Sequence, residues 1–349
     1  MPSYRTYFSM ALSGNQPSRM FSYCNTHTSI PLDCMFGIQS PIIAPPENLN
    51  RIINSGVEID NFIANNGKFI YASTSYNKYS SPNHSVGHIN NSIHLPSNDL
   101  QITSSVNTTN CNIKNILLPA QLVNVTLLNQ ILSNSNISKQ DLLCVYCDSS
   151  SPTDASFVFY MLYKLNYNVY YLNFDWTTLD YTTYRTSLYP RWNSVNEFNQ
   201  IVNNTNITAD ALVQMMANPL TKIIDVRPLD QYNGTVSIFT IPGHIAGSIN
   251  IPYTELFVSP TNSNTFKSKG DILTILNSAG ITETNNIIVS CNTGRLTSSM
   301  FFAIKFILQW PNIFVFEGSF NLYQQLYQIV HQYILLQLHL NIYVCCCNQ

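Results

Sequence analysis

Charge is what this chain has least of. Asp, Glu, Lys and Arg make up 10% of its 349 residues and leave a formal net charge of −2. Binding to nucleic acid calls for a basic stripe that displaces counterions from phosphates; none is present, which excludes that class of partner. No apolar run reaches the roughly eighteen residues of a membrane-crossing helix, so no membrane span is expected. The nine cysteines are odd in number and lack the spacing of a disulfide framework. Three of them crowd together at Cys345, Cys346 and Cys347, and the set points to a reducing compartment. Acidic residues are missing before Asp33 while Arg5 and Arg19 are present, a composition compatible with a mitochondrial transit segment. A cytoplasmic location is the reading adopted here, with a mitochondrial one as the alternative. After Phe320 no Asp, Glu, Lys or Arg occurs, and Leu322, Leu326, Ile329, Val330 and Ile334 form a stripe read as a docked helix. Palmitoylation of the terminal cysteines is the rival reading of that tail.

What is present concentrates between Ile287 and Leu308. Ile287, Ile288 and Val289 are too short and β-branched a run for a helix and read as a buried strand. Cys291 ends it. A tight loop with one glycine, Gly294, leads into a helix whose apolar face is Phe301, Phe302, Ile304, Phe306 and Ile307, with Thr297 or Ser298 as the candidate N-cap. A strand that ends on cysteine and wraps into a helix N-terminus aims backbone N–H groups at the sulfur, which favours thiolate over thiol. A nucleophilic cysteine needs that form, and Arg295 can add a positive charge. The bland alternative is a free cysteine buried at a strand end.

The rest of the chain repeats one order of elements. Residues 1–49, with Pro17, Pro31, Pro41, Pro45 and Pro46, are read as an extension without a fold of its own. Residues 50–180 form a first domain, with strands at Lys68–Ala72, Leu142–Tyr146 and Val169–Leu172 and helices from Pro119 to Leu132 and Ala155 to Leu165. Residues 181–206 are read as a linker, 207–325 as a second domain and 326–349 as the tail. In the second domain Thr208 caps a short helix over Ala209–Met216, Ile223–Arg227 and Ile313–Phe316 are strands, and Asp271–Ser278 is a helix. Gly243-His244-Ile245-Ala246-Gly247-Ser248-Ile249-Asn250-Ile251-Pro252 nearly repeats Gly87-His88-Ile89-Asn90-Asn91-Ser92-Ile93-His94-Leu95-Pro96. Two matched copies this far apart indicate duplicated domains. Strands alternating with helices give an α/β fold class: two tandem domains, each a parallel sheet with helices on both faces. Where the second copy has Cys291, the first has Cys147 in a longer loop that lacks glycine and carries Asp148 and Asp154. Those carboxylates disfavour a thiolate, so the first domain is read as silent. Cys144 and Cys147 lie along one strand on opposite faces and do not form a redox pair.

These residues resemble the tandem-domain rhodanese family, the thiosulfate and 3-mercaptopyruvate sulfurtransferases. The resemblance rests on Asp225-Val226-Arg227, Tyr232 with Gly234, the Gly243–Pro252 segment, Cys291-Asn292-Thr293-Gly294 and Glu317-Gly318-Ser319-Phe320, and it runs from about 50 to 320. It implies two α/β domains with the site near their interface, and a ping-pong reaction with no cofactor and no metal. Cys291 takes sulfane sulfur from a small anionic donor as a persulfide and passes it to a thiol or cyanide; a thioredoxin-like protein is a candidate thiol acceptor. It further implies that Asn292, Thr293, Gly294, Arg295, Leu296 and Thr297 form the substrate-binding loop. Thr293 falls where mercaptopyruvate-type enzymes carry a serine. Asp225, Arg227, Gly243 and His244 are expected to be structural.

Departures from the pattern keep other readings open. Gln231 stands where the family has a donor-binding arginine, leaving Gln231 as a candidate donor contact, and Thr235–Pro242 contains no arginine. Asp99 lies one position from the Asp, and Ile116 near the position of the His, of a relay in the mercaptopyruvate branch. A catalytically weak scaffold or sulfur-binding module is therefore the alternative. A related phosphatase would need an arginine six residues after the cysteine, where this chain has Thr297.

Overall fold

The computed structural model describes residues 50–73, 87–108, 113–122, 125–148, 152–186, 212, 215–216, 218–259 and 264–325. The expected extension 1–49, the tail 326–349, most of the linker and the Thr208-capped helix lie outside this set, apart from Leu212, Met215 and Met216, which are helical. The strands of the first half are β1 (Ile52–Ile53), β2 (Lys68–Ser73), β3 (His88–Ile89), β4 (Ile93–Pro96), β5 (Gln101–Thr108), β6 (Ile113–Leu122), β7 (Leu142–Cys147), β8 (Asn168–Leu172) and β9 (Arg185–Thr186). Those of the second are β10 (Thr221–Asp225), β11 (Ser248–Asn250), β12 (Asn286–Ser290) and β13 (Ile313–Val315).

The main sheet of the first half has the order β1-β8-β7-β2-β4 and that of the second β11-β10-β12-β13, and every pairing in both is parallel. Read from the other edge, the second order is β13-β12-β10-β11, which matches β8-β7-β2-β4 strand for strand. The duplicated segments occupy equivalent places: β4 and β11 sit at the same edge, and β7 and β12 lead to the two cysteines.

Side chains alternate along these buried strands, as a pleated backbone requires. Leu143, Val145 and Cys147 enter one core while Cys144 and Tyr146 enter another, so Cys144 and Cys147 face apart as expected. Ile287, Val289 and Cys291 enter the same core as Cys147, while Ile288 faces a third. That first core is common to both halves. The Pro152–Lys164 helix supplies Phe159, Tyr160 and Tyr163, which meet Phe302, Phe301 and Phe306 at ring-centroid distances of 4.8, 5.1 and 4.9 Å, all edge-on. Such aromatic pairs add to the large area that each ring removes from water. Among the described residues no helix is long and apolar enough to cross a membrane.

Two expectations need correction. The segment from Pro119 is strand through Leu122, and the helix runs Val125–Asn134. β6 pairs antiparallel with β5, and Pro119 falls at the register shift between Ile102 and Ser104, the kind of irregularity that accommodates proline within a sheet. Residues 181–186, expected in the linker, remain tied to the first half: a Tyr181–Tyr184 turn leads into β9, which pairs with β3.

His94 on β4 is 1% exposed and shares a 2.8 Å hydrogen bond between Nε2 and Ser73 Oγ. Burial, and secondarily His88, lowers its pKa from 6.5 to about 3. Above pH 6.5 the imidazole is neutral in both folded and unfolded chains and adds no pH dependence. Below that, the unfolded chain takes the proton and the native chain does not, so stability falls until about pH 3. Between pH 6.5 and pH 5 this group alone removes about 2 kcal/mol, to be read from urea unfolding at the two values. His94→Leu is expected to lose that part of the slope; an unchanged slope would rule His94 out as its source.

Candidate active site

β12 delivers Cys291 to the carboxyl end of the second sheet, where the chain must reverse into the Thr297–Phe302 helix. Gly294 makes the reversal: its φ is +94°, and an added Cβ would lie 2.6 Å from the Glu317 carbonyl oxygen. Only glycine tolerates both. The turn aims the Gly294 N–H at Cys291 Sγ, 3.1 Å away. Ser319 closes the other side, with its Oγ accepting from Cys291 N–H at 3.1 Å, donating to Phe316 O at 2.7 Å and standing 3.9 Å from Sγ. The next two amides, of Phe320 and Asn321, donate to Cys291 O at 3.0 Å and Asn292 O at 3.1 Å. The sulfur loop and the Glu317–Asn321 turn thus form one hydrogen-bonded unit, and Cys291 is buried within it.

The expected N-cap is not observed. Leu296 precedes the helix in helical conformation with no capping bond, and it packs on the shared core. The hydroxyls of Thr297 and Ser298 donate backward, to Gly294 O and, at 2.7 Å, to Arg295 O. They tie the loop to its own helix instead of satisfying helix amides. Thr293 lies half-buried between Asn292 and Gly294.

Gln231 and Asn292 come together: Asn292 Nδ2 donates to Gln231 Oε1 at 2.8 Å. Asn292 Oδ1 in turn lies 3.5 Å from Arg227 Nη1. Arg227 is otherwise committed to structure. Its Nε and Nη2 donate to the Asp225 carboxylate, with the closest contact at 2.6 Å, and Nη2 also donates to Gly243 O at 2.7 Å. Phe320 lies under the guanidinium at 4.3 Å. His244 stacks on Tyr232 at 3.8 Å, and its Nδ1 is 2.8 Å from Tyr232 O. None of these groups contacts Sγ.

Arg295 departs from its expected place. Its guanidinium turns to the first half, donating to Asp154, to Ser97 Oγ at 2.6 Å and to Asn98 Oδ1 at 2.8 Å. Its charge is balanced by a buried carboxylate instead of being offered to a donor. Asp99, beside Asn98, has its pKa raised by burial. In the first half, Cys147 is buried and its thiol is pushed well up, first by desolvation and then by Asp154 and Asp148. That agrees with its reading as non-nucleophilic.

Asp154 and Ser319 bond to the Cys291–Arg295 loop and Glu317 lies against it, contacts that the sequence reading did not assign to them. Asp154 lies 141 residues from Arg295, a separation that leaves no spacing signal. Glu317 follows the apolar run Ile313–Phe316, and a lone acid in that setting is a cue to a buried, partnered carboxylate.

Residues 208–326 match the family described as Rhodanese-like domain. A Synechococcus elongatus protein with the provisional name thiosulfate sulfurtransferase is 26% identical over 224 residues, 60% of this chain and 67% of its own length. The sulfur carrier protein TtuD of Thermus thermophilus is 29% identical over 107 residues, 28% of this chain and 36% of the relative. Among solved structures, 3-mercaptopyruvate sulfurtransferase from Leishmania major superposes with a TM-score of 0.57 at 17% identity, covering 82% of this chain and 77% of that one.

Two substitutions separate backbone strain from the Glu317 contact. Gly247 also has positive φ, +78°, but an added Cβ there meets nothing within 4 Å. Gly247→Ala is expected to cost about 1–3 kcal/mol from strain alone. Gly294→Ala must cost more, because the loop has to leave Glu317. Equal losses by urea unfolding would mean that the contact does not constrain the loop.

Proposed function

We propose that the chain is a tandem-domain member of the rhodanese family and a sulfurtransferase that carries sulfane sulfur on Cys291. The observation that carries this reading is the 3.1 Å contact from the Gly294 N–H to Sγ, at the end of a buried strand and in a loop fixed on both sides. Preorganised N–H donors suit a sulfur that must be nucleophilic as thiolate and then hold negative charge one atom further out. In the first half-reaction the thiolate attacks the outer sulfur of a donor. The new S–S bond forms as the donor's bond to that sulfur breaks, and the electron pair leaves with the donor fragment. An acceptor thiolate or cyanide then attacks the terminal sulfur of the persulfide and returns Cys291 to thiolate. No external oxidant or reductant enters.

Thiosulfate and 3-mercaptopyruvate are the donors proposed, with a thiol, cyanide or a thioredoxin-like protein as acceptor. Gln231 brings a neutral amide to the loop beside Asn292, and Arg295 is engaged by Asp154. An amide offers an anion one hydrogen bond without the countercharge and two-pronged fork of a guanidinium, so weak donor binding follows. The same observation favours a sulfur-binding scaffold as the second reading.

Intact mass after incubation with each donor decides between them. A gain of one sulfur atom that disappears in Cys291→Ser supports the enzyme, and the effective donor identifies its branch. No gain in folded protein would leave the scaffold reading. Gln231→Arg is expected to raise kcat/KM for the anionic donor by about tenfold, because a guanidinium adds a positive charge and a second parallel bond to the anion. An unchanged or lower value would remove Gln231 from the donor's path.

A further inference from the structure

The two segments that shape the sulfur loop are both held by one helix of the silent half. The Pro152–Lys164 helix carries Asp154 in its first turn and Lys164 at its last residue, about 15 Å apart along the axis. Asp154 is 1% exposed and accepts from Ser97 Oγ at 2.7 Å and from the Arg295 guanidinium. At the other end Lys164 Nζ and Tyr160 OH both donate to Glu317 Oε1, at 2.6 and 2.7 Å. Arg295 directly follows Gly294, and the carbonyl of Glu317 is the atom that a side chain at Gly294 would strike. Each end of the helix therefore grips one wall of the turn that aims the Gly294 N–H at Sγ. Between the grips, Tyr160 and Phe159 pack edge-on against Phe301 and Phe302, which fixes the helix against the one that follows the loop.

We propose that Asp154, Tyr160 and Lys164 of the silent half are positioning residues for the Cys291 loop of the other half. The proposal rests on Cys291 as the sulfur carrier for its kinetic consequence. None of the three contacts Sγ, and each acts through Arg295 or Glu317. Two geometries coincide here: ion pairs formed across the interface at both walls, and a glycine turn with no room to relax toward Glu317. Loosening either wall lets Gly294 move, and a displacement of about 1 Å at a reacting centre can cost up to a hundredfold in rate.

The test uses the full chain with Lys164→Met, Tyr160→Phe and Asp154→Asn, the last two being nearly isosteric with the native side chains. Amide hydrogen exchange is followed in a peptide covering Cys291–Thr297 and, as a fold control, in peptides covering β7 and β10. Exchange in the loop is expected to quicken about tenfold with both controls unchanged. With a donor that loads the native protein, kcat should fall about tenfold or more with little change in KM. Lys164→Arg, which keeps the charge and the bond to Glu317, should recover most of the loss. Loop exchange and kcat at native values in folded variants would overturn the proposal, as would an Asp154→Asn loss that persists in full on an Arg295→Gln background. If the native protein takes no sulfur from either donor, the functional reading fails and the exchange data still decide the positioning role.

Discussion

Around Cys291 the fold depends on how closely two stretches of backbone approach. Gly294 lies against the Glu317 carbonyl at a distance that no side chain permits, and that approach turns its N–H toward the sulfur. The Glu317–Asn321 turn answers with Ser319 on Cys291 N–H and with two amides on the carbonyls of Cys291 and Asn292. Ser319 itself sits at φ +51°, a strained value for a residue with a side chain. Strain of this kind persists when neighbours over-determine it, and here the hydrogen bonds of both turns do so. The loop and its partner turn constrain each other through these contacts, and Lys164 and Tyr160 bond to that turn across the interface.

The duplication explains why the interface can serve this purpose. With the same strand order in both halves, β7 and β12 bring their cysteines to equivalent positions and point them into one shared core. The helices that follow the two cysteines then pack against each other through aromatic rings. What differs is the polar chemistry at each sulfur. Asp154 and Asp148 stand near Cys147 along with the Ala155 N–H, whereas Cys291 meets the Gly294 N–H and the Ser319 hydroxyl. One of those carboxylates, Asp154, also takes the Arg295 guanidinium. The residue that works against thiolate chemistry in one copy supports the loop of the other.

Much of this was legible in the sequence because it is local. The β-branched run before Cys291, the single glycine after it and the repeated Gly-His segment each carry a short-range signal: the first two place the strand and its turn within a residue or two, and the third reveals the duplication. Gln231 was singled out through the resemblance of its flanking motif, and its contact with Asn292 emerged only from the fold. The errors arise where partners are distant. Arg295 was expected to face the donor, and its buried partner comes from the other half. Thr297 and Ser298 have the composition of a helix cap, yet their hydroxyls found nearer acceptors in the loop carbonyls. Pro119 and its apolar neighbours have a helix-like pattern, and pairing with β5 overrode it.

The scarcity of charge gives the few buried ion pairs their meaning. Asp225 and Arg227 are 0% and 2% exposed. Desolvation offsets most of the attraction in such a pair, so it adds little net stability, although removing one partner costs about 3–5 kcal/mol. What the guanidinium supplies is geometry. Its planar fork reaches the Asp225 carboxylate at the end of β10, the Gly243 carbonyl before the His244 turn and the Asn292 side chain in the sulfur loop. A lysine has one ammonium and could not meet three directions at fixed angles. Arg227 thus joins the strand, the duplicated Gly-His segment and the cysteine loop at a single planar group. That fits its assignment as a structural residue of the site, and it explains why a chain with so little charge keeps an arginine buried there.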